Sequence, residues 1–250
     1  MKQNPREEME EMIRMRDLDG LLEKATEFHG HYCHKVAYGI KAGLLALTEL
    51  GIETLSKEAL GAMVAIVECT GPFCNGVQIT IGTLGMANLV IDDQGKFALT
   101  LLKSDGLAVR VALRADFLDD FTKRNPGLAE LFAGKYATIP VPEDMAIPLP
   151  QIGLVEFFKK KMGIKDAKEM EEVMGKMMEV HKSVVFKELK MKEEEMFKVE
   201  TKEMDFSRYA PICQCTYPVT RCDSCGELIF EPYARLKRAK VVCIQCSGEE

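Results

Sequence analysis

The stretch Phe28-His29-Gly30-His31-Tyr32-Cys33-His34-Lys35 holds three of the chain's four histidines and one of its nine cysteines. Neutral imidazole and thiolate are the borderline-soft donors that Zn²⁺, iron or nickel prefer. Gly30, set between two histidines, lets the backbone turn sharply enough for both rings to enter one space. The chemistry within reach is metal ligation at His29, His31 and Cys33, or reaction at a Cys33 thiolate. Histidines at a helix start also act as caps or surface groups, and a single thiol there can simply be packed. Four donors in six positions argue for a site.

A second set closes the chain. Cys222-Asp223-Ser224-Cys225 and Cys243-Ile244-Gln245-Cys246 are separated by seventeen residues, a spacing that fits a four-cysteine Zn²⁺ site. Gly226 supplies the tight turn of a zinc knuckle, in which backbone N–H groups bond to the thiolates. So short a segment buries little apolar surface, so the metal must contribute much of its folding free energy. Cys213-Gln214-Cys215 is less defined: it fits a ligand pair, a thiol-exchange pair or a packed junction. Arg221, Arg235, Lys237, Arg238 and Lys240 outnumber Asp223, Glu227 and Glu231 around the finger. Such a face suits an acidic partner protein, nucleic acid or plain solvent.

The elements that must position these residues follow from periodicity. Val36, Ile40, Leu44 and Leu47 mark a buried helix over 36–50, placing the histidine cluster on the loop before it and on its first turn. A helix N-terminus favours thiolate at Cys33. Residues 6–27 read as one amphipathic helix whose stripe of Met9, Met12, Ile13, Leu18, Leu21 and Leu22 is a candidate homodimer surface. Gly51 is placed to end the helix 36–50, and Ser56 to cap a short one over 57–62.

Met63–Val67 reads as a central strand covered on both faces, and it runs into Glu68, Cys69 and Cys74. Ligands in α/β architectures gather just past strand carboxyl ends, so Glu68 becomes a candidate base or orienter and the two thiols candidate ligands. Cys69 and Cys74 also admit thiol–disulfide exchange, although their spacing is unlike C-x-x-C. A helical turn over 75–82 leads to a Gly-rich loop, 82–88. Residues 96–102 and 107–113 form a hairpin about Asp105-Gly106. Residues 115–135 read as helix broken near Pro126, and four prolines make 138–150 a loop. One or two helices cover 151–190, where His181 reads as a solvated histidine, and a closing strand covers 196–201.

At 250 residues, 47% hydrophobic and 29% charged, the chain has the composition of a soluble globular protein with one large and one small domain, 1–205 and 206–250. A net charge of −6 counts against a general nucleic-acid coat. No apolar run is long enough to cross a membrane, and the charged start is unlike a signal peptide. Paired cysteines without an export signal predict metal ligation in a reducing cytoplasm.

FHGHYCHK with its helix VAYGIKAGLLAL, followed by VECTGPFCNGVQITIGTLGMANL, resembles the FmdE family, named for a gene of the molybdenum or tungsten formylmethanofuran dehydrogenase operon. The CDSC and CIQC pairs resemble the treble-clef zinc finger, or zinc ribbon, appended to some members. The resemblance implies an α+β fold: a thioredoxin-like core with a mixed β-sheet flanked by helices, plus a small C-terminal zinc-finger domain. It also implies a metal site at His29, His31, Cys33 and Cys74. The chain departs from the family pattern in having His34 where proline is usual, Asn75 where an acidic residue is common, Thr83 where a cysteine often follows the glycine, and Met86 where a lysine is usual. The resulting expectation is a metal-binding protein of FmdE type, associated with formylmethanofuran dehydrogenase subunits or related anaerobic C1 metabolism. Zn²⁺ or another transition metal would occupy the core and Zn²⁺ the finger. The rival expectation is a regulatory or assembly module that grips a partner by its finger and holds metal or haem in its core.

Overall fold

Met63–Val67 (β1) is buried at every position, as a five-residue apolar run without a polar face requires. The computed structural model describes residues 6–53, 55, 57–82, 88–126, 167–209 and 217–249. In it β1 pairs in parallel with Leu89–Ile91 (β2) and antiparallel with Ala98–Lys103 (β3). Leu107–Leu113 (β4) and Phe197–Glu203 (β5) extend the sheet antiparallel, in the order β2-β1-β3-β4-β5. The β3–β4 turn falls at the expected Asp105-Gly106, with Gly106 at φ +91°.

Side-chain alternation divides the sheet into two faces. Ala65, Val67, Leu99, Leu101, Val109 and Val111 enter the main core beneath the helices. Val64, Ile66, Leu102 and Ala108 point the other way, under Val90, Met204, Phe206 and Tyr209. The result is an α+β fold around a mixed sheet, as expected.

The N-terminal helix is two helices, Glu7–Arg14 (α1) and Leu18–His29 (α2). Arg16 sits at φ +52° between them, and the Asp17 carboxylate caps α2 by accepting the Gly20 N–H at 3.0 Å. The apolar stripe lies against the protein's own core: Ile13, Leu21 and Leu22 are buried, and Met9, Met12 and Leu18 pack beside them. It is not the free face that a homodimer contact there would need.

His34–Glu49 (α3) crosses Pro72–Thr80 (α5) after a short helix, Lys57–Gly61 (α4). α5 begins three residues ahead of expectation because Pro72 starts it, where the missing N–H costs nothing. The crossing is backbone against backbone. A Cβ on Gly39 would stand 2.0 Å from the Phe73 carbonyl oxygen, and one on Gly76 2.2 Å from that of Val36.

Ala115–Asp119 (α6) and Phe121–Arg124 (α7) replace the first part of the helix expected over 115–135. Its remainder, the proline loop, most of the Gly-rich loop including Met86, Ser56, Cys213 and Cys215 lie outside the described residues. Ala167–Leu189 (α8) returns along α3, and Glu193–Met196 (α9) leads into β5. Buried Lys41 of α3 donates to the carbonyls of Leu189 and Met191 at the end of α8. The finger comprises Val219–Arg221 (β6), Leu228–Phe230 (β7), Arg235–Lys237 (β8), Lys240–Val242 (β9) and Ile244–Ser247 (α10) around buried Cys222, Ile229 and Val242. No helix among the described residues is long and apolar enough to cross a membrane.

Candidate metal centre

His29 is the last residue of α2, and Gly30 ends that helix at φ +92°, donating its N–H to the Thr26 carbonyl. The left-handed turn folds the chain back so that the His29 and His31 ring centroids lie 4.5 Å apart. Cys33 caps α3 in extended conformation. Donor atoms of His29, His31 and Cys33 all fall within 4.8 Å of one another, with His31 exposed, His29 half-buried and Cys33 buried.

The surroundings of His29 suit a ligand. Its Nδ1 is 2.8 Å from the amide of Asn75, on the first turn of α5. Its Nε2 is buried with no hydrogen-bond partner, a costly state for a ring nitrogen. Burial, and then the neighbouring His31, hold the His29 pKa below its usual value, which favours the neutral ring that ligates metals.

His181 corrects the expectation of a solvated side chain. Its Nε2 meets His34 Nδ1 at 2.9 Å, and the His34 ring packs against Tyr38 and Phe121. Burial chiefly, then His181 and Lys35, push His34 down to about 4. His181 is lowered by burial, then by His31 and Lys35, so all four histidines belong to one neighbourhood. Behind them Glu188 is fully buried, accepting hydrogen bonds from Tyr38 at 2.7 Å and Asn125 at 2.8 Å, with Arg124 at 3.2 Å. Burial alone would raise its carboxyl; those partners hold it below its ordinary value.

The group past β1 is placed differently. Arg110 of β4 takes the Glu68 carboxylate in a two-pronged contact of 2.6 and 2.8 Å. That contact lowers the Glu68 pKa and makes it a weak base. Cys69 and Cys74 are buried free thiols. Burial, with Cys74 adding, pushes Cys69 up to about 11, and burial raises Cys74. Neither belongs to the set of donors within 4.8 Å. Lys35, which sequence reasoning passed over, has its ammonium 5.5 Å from the Phe97 ring centroid.

In the finger the sulfurs of Cys222, Cys225, Cys243 and Cys246 also lie within 4.8 Å of one another. N–H groups of Cys225 and Cys243 donate to Cys222 Sγ at 3.5 and 3.4 Å, pushing that thiol down to about 6. Its neighbours, Cys243 first, push Cys246 up to about 12. Four thiols that oppose one another's ionisation are the donor set a dication resolves. Asp223 ties the knuckle to β9 through both its N–H and its carboxylate, at 2.8 and 2.7 Å from Val241.

The model of the family described as FmdE, molybdenum formylmethanofuran dehydrogenase operon, matches residues 28–198. The chain belongs to the FmdE family. The match takes in the histidine cluster, the sheet and α8; the finger lies beyond it. The FmdE-family chain is also similar to the probable S-adenosyl-L-methionine-binding protein of Archaeoglobus fulgidus, with 31% identity over 234 residues. Those residues are 92% of this chain and 53% of that protein, so the chain spans about half the length of the curated relative it matches. A solved structure, the FmdE-like tungsten formylmethanofuran dehydrogenase protein of Syntrophus aciditrophicus, is 18% identical over 92% of each chain, with a TM-score of 0.47. Two departures from the FmdE pattern prove to be contact residues: His34 meets His181 and Asn75 meets His29.

Proposed function

We propose that this FmdE-family protein holds one transition-metal ion, Zn²⁺ or another, at His29, His31 and Cys33, and Zn²⁺ in its four-cysteine finger. The observation that carries the core site is the buried, unpartnered Nε2 of His29, whose ring Asn75 fixes from the other side. With the Asn75 amide oxygen accepting Nδ1–H, Nε2 presents its lone pair to the two nearby donors. Three protein donors leave a position for a further group, the pattern of catalytic rather than structural zinc, and a metal bound there would supply Lewis-acid chemistry. Cys74, one residue before Asn75, is the nearest further thiol by chain position. The family description is the ground for placing the protein with formylmethanofuran dehydrogenase subunits or related C1 oxidoreductases.

Elemental analysis of the full chain, purified without air, tests this reading. It predicts about two equivalents of metal per chain. His29→Ala with His31→Ala should remove one and leave the finger's; retention of both in the double variant rejects the core site. A Soret band in the same preparation would assign haem instead. The Archaeoglobus relative's name supplies a second reading, S-adenosylmethionine binding. Calorimetric titration with that compound distinguishes the two, since saturable binding unchanged in the double variant would favour it.

A further inference from the structure

We propose that Lys35 makes the core centre a site for a small carboxylate-type anion, drawn between the metal and the lysine ammonium. The inference rests on the metal reading above and names the class of ligand that reading leaves open.

Lys35 lies on the first turn of α3, two residues after Cys33, and is half-buried. Its stem runs past Phe97, which leaves the charged end in a partly apolar setting where its field is weakly screened. That field acts on Cys69 past β1, on His34 of α3 and on His181 of α8. The ammonium therefore stands among the elements that surround the donors.

The nearby carboxylates are already engaged. Arg110 holds Glu68, while Tyr38, Arg124 and Asn125 hold Glu188. Among the described residues no carboxylate forms an ion pair with Lys35. The imidazoles do not offset it either, because neutral rings carry no negative charge. A dication held by one thiolate and two neutral imidazoles keeps net positive charge, and Lys35 adds to it. A neutral ligand answers only part of that field; an oxyanion answers all of it.

The test uses full-length protein loaded with Co²⁺, whose visible bands report its ligands, with the four-cysteine finger as an internal reference. Formate, acetate and the neutral formamide are titrated separately. Formate should shift the core bands and leave the finger bands in place, with formamide at least about tenfold weaker. Acetate binding like formate would mark general carboxylate recognition, and its exclusion would restrict the site to the smallest anion. Lys35→Met should weaken formate about tenfold at unchanged cobalt stoichiometry, and Lys35→Arg should restore it. Lys35→Gln serves if the methionine variant does not fold. Formate binding equally to wild type and both neutral variants, or formamide matching formate, overturns the proposal while leaving the metal site standing. Cobalt confined to the finger in wild type removes both.

Discussion

Asn75 decides which nitrogen of His29 is free, so its role separates from that of the ligands themselves. Asn75→Leu should weaken the core metal about 10–100-fold without altering the finger metal, measured by competition with a chromophoric chelator. Glu68 and Arg110 give a residue-level prediction about pH. The Glu68 carboxyl is held below its ordinary 4.5 in the folded state. Its contribution is complete above that unfolded value and is lost as pH falls through the lower folded one. Glu68→Gln should therefore cost about 1–2 kcal/mol near neutrality and converge with wild type in acid, read from urea unfolding at several pH values. Residues adjacent in sequence were legible as a site: His29, His31 and Cys33 need only one turn at Gly30 to meet. His181 and Asn75 were not. An apolar period shows which side of a helix is buried, but not which imidazole, 147 positions away, it will face.

The helices owe their spacing to absent side chains. Alanine at Gly39 would gain about 1 kcal/mol of helix propensity, yet its Cβ would stand 2.0 Å from a backbone oxygen. Overpacking should win, so Gly39→Ala and Gly76→Ala are each expected to destabilise by about 1–3 kcal/mol and to loosen the core metal. A raised melting temperature in either variant would refute the close crossing. Strands were legible because β1 is uniformly apolar and Asp105-Gly106 announces its turn. The break at Arg16 was not, since Asp17 caps α2 inside an otherwise continuous amphipathic pattern. Pro72 could have given the true start of α5, had the proline been weighted as a helix opener rather than as part of a loop.

Across the whole molecule, two parts depend on metal to different degrees. The sheet and helices share an extensive apolar core, whereas the finger has three buried residues and a knot of thiols. Chelation should abolish amide-exchange protection in β6 to β9 while leaving β1, β3 and β4 protected; loss of both together would show that the finger props up the core. The backbone crossing of α3 and α5 has one more consequence. Because those helices touch through their main chains, the distance between their leading turns is indifferent to what those turns carry. His34 and Asn75 stand there in place of the common proline and acid, like different tools in the same vice. A lineage built on this frame can change its reagents without re-machining the mount.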